Sequence, residues 1–244
     1  MLLRLPTSVS EARECLAEGA VPVGGATLVW AEWQRDGFPA LAMSLRGVPE
    51  ANEVGAGVLG SAVVLNRMSD AVPDVLRLAA ATIGTGAVRR TATVGGNVVG
   101  SSLRCLLPPA LVLDARATVL GPEGTHEAEL SEVVAKRPLL LALRWRDPVA
   151  SAYRKLPAPA GGPPPRVIAL AVHDGDGDGD GDGRLVRVAV REGYDVLSGT
   201  VPGAAGTGTV LEALRETLLG ELPSDAWELV ERETTALLDR LPRP

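Results

Sequence analysis

The chain has 244 residues, of which 46% are hydrophobic, 22% charged and 3% aromatic, with a formal net charge of −6 and a pI near 5.1. That length suits one large domain or two small ones, with a core built mainly from Ala, Val and Leu. The acidic balance argues against nucleic acid as a partner, no apolar stretch approaches a membrane span, and the start of the chain carries no secretory pattern, so a cytoplasmic protein is expected.

Ser8 to Glu11 has the spacing of a capping box, and Ala12, Cys15 and Leu16 follow at helical intervals up to Gly19. Val21-Pro22-Val23 predicts a buried strand entering a glycine turn, Ala26 to Asp36 a helix, and Leu41 to Leu45 another strand. The opening is therefore a small α/β unit. Glu53 to Leu65 suggests strands joined by a turn. Pro73 marks a helix start, with Val75, Leu76, Ala79, Ala80 and Ile83 on one face. A polar, glycine-rich stretch follows from Gly84 to Ser102. Pro108 to Asp114 is expected to be buried, and Ala117 to Leu120 and Leu139 to Trp145 to be strands. Beyond about residue 148, Pro157 to Pro165 predicts an extended loop. Arg166 to His173 and Arg184 to Arg191 predict strands around the Asp-Gly repeat Asp174 to Gly183, and the tail carries two helical patterns. The repeat fits a swollen hairpin loop better than a calcium loop, because it lacks a terminal bidentate Glu.

Cys15 and Cys105 are too far apart to suggest a metal pair or a disulfide framework, and His126 and His173 have no metal-ligating residue at useful spacing. No protein-held metal and no catalytic acid–base group is expected. Two glycine pairs carry the chemistry. Val23-Gly24-Gly25-Ala26-Thr27-Leu28 lies at a strand-to-helix turn, and Thr93-Val94-Gly95-Gly96-Asn97 lies in the polar stretch. Consecutive backbone N–H groups with no side chain in the way hold a diphosphate well, and glycine's tolerance of positive φ lets the chain curl around an anion. Thr27, Thr93 and Asn97 add hydroxyl and amide groups. Neither pair fits the dinucleotide fingerprint or a P-loop.

Ile83 to Asn97 resembles the flavin-binding stretch of the medium subunits of the carbon monoxide dehydrogenase and xanthine dehydrogenase family of molybdenum hydroxylases. Ser101 and Pro108 to Ala115 continue the likeness, Val23 to Val29 is similar to that family's earlier glycine motif, and Tyr153-Arg154-Lys155 is placed like its aromatic–Lys strand. The resemblance implies an α+β chain: a two-part FAD-binding domain of the vanillyl-alcohol-oxidase type over 1–147, with subdomains of about 1–48 and 49–147, and a small α+β domain over 148–244. It implies FAD held by Val23, Gly24, Gly25, Ala26, Thr27, Leu28, Thr93, Val94, Gly95, Gly96, Asn97, Ser101, Cys105, Leu140 and Lys155. It also implies two partners, a large molybdopterin subunit and a small subunit with two [2Fe–2S] clusters, with electrons leaving the flavin for NAD or another acceptor.

The sequence departs from the family in places. Ala26 replaces a hydroxyl residue and the Asp of the first motif is missing. Ser102 replaces a Pro, and Cys105 stands where the family has an Asp that contacts the ribityl chain. These departures favour one alternative, a relative that keeps the fold as an assembly module without FAD; a stand-alone flavoenzyme is a third reading. Trp30 and Trp33 are expected to belong to the core or to a subunit interface, and Arg89 and Arg90 form a basic pair near the second turn.

Overall fold

The computed structural model describes residues 1–159, 161–175, 183–203 and 206–241. Most of the Asp-Gly repeat lies outside these residues. The chain forms two compact units. The first comprises Met1–Val72, Ala80–Leu106 and Ala115–Trp145, and the second Pro73–Ala79, Leu107–Asp114 and Arg146–Pro244.

In chain order the elements up to residue 144 are β1 (Leu2–Arg4), α1 (Val9–Ala17), β2 (Val21–Pro22), α2 (Val29–Asp36), β3 (Leu41–Met43), β4 (Val54–Gly55), β5 (Val58–Gly60), α3 (Asp74–Ala81), α4 (Gly86–Arg89), α5 (Leu107–Val112), β6 (Arg116–Gly121), β7 (Gly124–Ala128), α6 (Leu130–Lys136) and β8 (Leu139–Arg144). In the first unit, β1, β3 and β2 form a parallel sheet in that order, and β4-β5-β8-β6-β7 form an antiparallel one. The capping box opens α1. Ser8 accepts the N–H of Glu11 at 3.2 Å, and the Glu11 carboxylate accepts from the backbone and hydroxyl of Thr7, which lowers its pKa. One face of α1 joins the two sheets. Ala12 packs with Leu45, Val48, Ala51, Leu120 and Leu141, while Cys15 packs with Ala20 and Met43.

Three expectations change in this unit. Both residues of β2 are exposed rather than buried. The helix expected from Ala26 begins at Val29, because Ala26 adopts φ 55 and a left-handed residue cannot lie inside a right-handed helix. Finally, α2 buries none of its residues. Trp30 is half exposed, and Trp30 and Trp33 pack edge-on against Phe38 at 5.3 and 6.1 Å. Neither tryptophan is therefore a core residue: Trp30 lies at the surface and Trp33 is half-buried. Strand β7 and helix α6 went unforeseen, since β7 is a polar edge strand and α6 shows only Leu130 and Val133 as buried markers.

The second unit is a sheet with helices on both faces. Its strands are β9 (Ala150–Lys155), β10 (Val167–Asp174), β11 (Arg184–Glu192) and β12 (Asp195–Pro202), antiparallel in the order β12-β11-β10-β9. Its tail helices are α7 (Thr207–Arg215) and α8 (Ser224–Leu238). Ile168, Leu170 and Val172 on β10 lie opposite Val190, Val188 and Val186 on β11, and this face packs with Val210, Leu214, Trp227, Val230 and Leu237. The other face is small or polar. It carries Ala169, Ala171 and Ala189, with His173 bonded to the carbonyl of Val112 at 2.8 Å and Arg187 paired to Asp114 at 2.9 Å. Helix α5 packs there. Strand β10 is buried on both faces and so appears in the sequence as a nearly unbroken apolar run.

Candidate functional site

The two glycine turns, far apart in sequence, touch. A Cβ on Gly24 would lie 2.2 Å from the Thr93 hydroxyl oxygen, and one on Gly25 would lie 1.8 Å from the carbonyl oxygen of Thr91. Real Cβ atoms do not come so close, so only glycine lets the first turn lie flush on the 91–93 segment. The reason for glycine here is close approach. None of Gly24, Gly25, Gly95 and Gly96 has a positive φ, and the left-handed residue of the cradle is Ala26 instead.

The two turns differ in what they offer a ligand. In the first, Val23 donates to the carbonyl of Met43, which fixes the turn to β3. Beyond it, the N–H groups of Gly24, Gly25, Ala26, Thr27 and Leu28 donate to no acceptor among the described residues. Gly24, Thr27 and Leu28 are exposed and Gly25 and Ala26 half-buried, so the row opens to solvent. In the second turn the N–H groups are already used. Val94 donates to Val63, Gly95 to Ser61 at 2.8 Å, Gly96 to the Thr93 hydroxyl at 3.2 Å and Asn97 to the Thr93 carbonyl at 3.0 Å. A short helical segment follows and ends in a π-helical turn over Gly96–Gly100, an irregularity often found at functional sites.

What the second turn leaves to a ligand is its side chains. Thr93 and Asn97 are both buried. The Asn97 side-chain oxygen accepts the N–H of Leu106 at 2.9 Å and pulls the 101–106 loop onto the turn. Ser101 is buried and accepts the N–H of Leu103 at 3.2 Å. Cys105 is buried at the end of the same loop. Leu140 is a core residue of β8, and Lys155 ends β9 in the second unit, paired with Val167. The basic pair splits. Arg89 donates to the carbonyls of Ile83 and Gly84 at 3.0 and 2.9 Å and so finishes α3, while Arg90 is exposed.

Two residues of these segments carried little signal in the sequence. Ser61 holds Gly95, whose Cβ would lie 3.0 Å from the Ser61 Cβ. Arg104 has a φ of 39, and its buried Nε has no hydrogen-bond partner among the described residues. Its only signal in the sequence was a charge interrupting the apolar run from Leu103 to Ala110.

An open row of backbone donors of this kind suits the diphosphate of a dinucleotide. Residues 3–143 match the family described as the FAD binding domain in molybdopterin dehydrogenase. The chain belongs to that family, and FAD is its cofactor. A reconstituted carbon monoxide dehydrogenase from Oligotropha carboxidovorans shares its fold at a TM-score of 0.70 and 20% identity, covering 98% of this chain and 96% of that one. Quinoline 2-oxidoreductase from Pseudomonas putida 86 matches at 0.70 and 18%, covering 96% and 94%. Carbon monoxide dehydrogenase from Hydrogenophaga pseudoflava matches at 0.67 and 16%, covering 97% and 95%. A comparison with curated proteins gives no match. The residues present fit the cofactor: an open row of backbone donors suits a diphosphate, and the buried Nε of Arg104 lacks an acceptor.

Proposed function

We propose that this chain is the FAD-carrying subunit of a molybdenum hydroxylase complex, passing electrons from the [2Fe–2S] clusters of a small partner subunit through its flavin to NAD or another acceptor. The observation that carries this reading is the run of unpaired N–H groups from Gly24 to Leu28 against Thr93. Bound FAD supplies the redox chemistry, and the chain's own residues bind and orient it. Gly24 to Leu28 hold the diphosphate. Thr93 offers its hydroxyl beside them, and Asn97 offers the amide N–H₂ that its bond to Leu106 leaves unused. Leu140, Ser101, Cys105 and Lys155 belong to the proposed site through the family likeness.

The large molybdopterin subunit is the second proposed partner and the place where substrate is hydroxylated. The proteins with this fold that carry molybdenum or act on carbon monoxide or quinoline, by their names, support that reading. The test is co-expression of the three chains followed by pull-down and addition of substrate. Flavin bleaching in the complex and none in the isolated chain is the expected result. Turnover of a small organic substrate by the isolated chain would instead establish a stand-alone flavoenzyme. A colourless protein that ignores added FAD yet enters the complex would establish the assembly module.

A further inference from the structure

We infer that Arg104 is a further cofactor-binding residue, a cation that engages the negatively charged diphosphate of FAD; the inference rests on the reading of Gly24 to Leu28 as the diphosphate cradle. Residues 83–105 contain three arginines and no lysine. The Arg89 guanidinium is committed to the carbonyls of Ile83 and Gly84, and Arg90 is exposed. Arg104 differs from both. Its Nε is buried and meets no acceptor among the described residues, although the residue as a whole is only half-buried. A buried donor without an acceptor is costly and uncommon in native proteins. A ligand that brings an anionic oxygen removes that cost.

The backbone indicates the same role. Arg104 sits at φ 39, in the left-handed region that a long side chain rarely occupies. Side-chain bonds grip the loop on both sides: Ser101 accepts the N–H of Leu103 and Asn97 accepts the N–H of Leu106. A short path of contacts leads back to the cradle. Leu106 binds Asn97, Asn97 donates to the Thr93 carbonyl, and the Thr93 hydroxyl lies against Gly24. Strain held at one residue by flanking bonds is characteristic of a position whose side chain has a task.

The experiment measures binding of FAD, ADP and riboflavin to the full chain by fluorescence and calorimetry, for wild type, R104M and R104K. ADP carries the diphosphate without the flavin, and riboflavin carries the flavin without any phosphate. R104M is expected to weaken FAD and ADP by about 10- to 100-fold, to leave riboflavin unchanged and to flatten the salt dependence of FAD binding. R104K should recover part of the loss, and melting curves should show both variants folded. Equal affinity of R104M and wild type for FAD overturns the inference while the cradle stands. An equal fractional loss for riboflavin overturns it too, because the residue would then act on the loop and not on the phosphates. Failure of wild type to bind either FAD or ADP overturns the cradle itself and this inference with it.

Discussion

Ala26 holds a left-handed backbone that costs a residue with a Cβ about 1 kcal/mol. Glycine accepts that conformation without strain, so A26G should raise the melting temperature by about 2 to 4 °C while FAD affinity stays within twofold. A loss of FAD on this change would mean that the Ala26 side chain, and not its N–H, matters to the site. Asn97 allows a sharper separation of roles. N97A leaves the Leu106 N–H without its acceptor and should destabilise the chain by about 1–3 kcal/mol. N97D keeps an acceptor for Leu106 but removes the amide donor and places a negative charge near the diphosphate. It should therefore lower FAD affinity by more than it lowers stability, as paired melting and titration would show. Gly95 is a poor probe of the cofactor by comparison, since any side chain there pushes first on Ser61.

Among the elements, those whose burial follows a clear period were legible in the sequence. The buried face of α3 is Val75, Leu76, Ala79 and Ala80, as its spacing predicts, and β10 and β11 follow their apolar runs. The small α/β opening was also legible from its caps and glycines. Polar edge strand β7 was hidden, because nothing in Gly124–Ala128 marks an inward face. Strand β12 was hidden for a similar reason, with only Gly199 and Val201 buried. Of the proposed site, the sequence singled out the two glycine turns but not how each is built. It could not reveal that Gly24 and Gly25 are dictated by Thr91 and Thr93, because that demand comes from a distant segment. The second unit offers a test of its own at the start of α8. Arg166 binds Glu192 through Nε and, at 3.0 Å, through a second nitrogen, and it reaches Asp225 at 3.0 Å. The bond to Glu192 is the main cause of the raised Arg166 pKa, and the bond from Arg166 is the main cause of the lowered Asp225 pKa. A carboxylate depressed in the folded state stabilises the fold above its unfolded pKa, and that contribution disappears as pH falls through the folded one. The stability gap between wild type and D225N should therefore be largest near pH 6 and close as the pH drops below about 4. A gap independent of pH, measured by urea denaturation, would show that Asp225 acts only as a neutral hydrogen-bond acceptor.

On the scale of the whole molecule, apolar surface is unevenly spread. Leu2, Leu3, Leu5, Leu28, Trp30 and Phe38 are all at least 43% exposed and all belong to the first 38 residues. Of these, Trp30 and Phe38 pack against each other at the surface, and an exposed apolar cluster is a candidate interaction site. On the proposed assembly reading, W30S and F38S should change the stability of the isolated chain by no more than about 0.5 kcal/mol and sharply reduce its recovery with co-expressed partners. A large loss of melting temperature without loss of co-purification would assign these residues to the fold. The flush fit of Gly24 and Gly25 on Thr91 and Thr93 has a consequence in time. Neither half of the cradle is complete until a long loop has closed, and contacts that span so much chain form late and slowly in refolding. Quenching of flavin fluorescence during renaturation should therefore lag behind the recovery of helical ellipticity, so that the cofactor itself times the moment at which the ends of that loop meet.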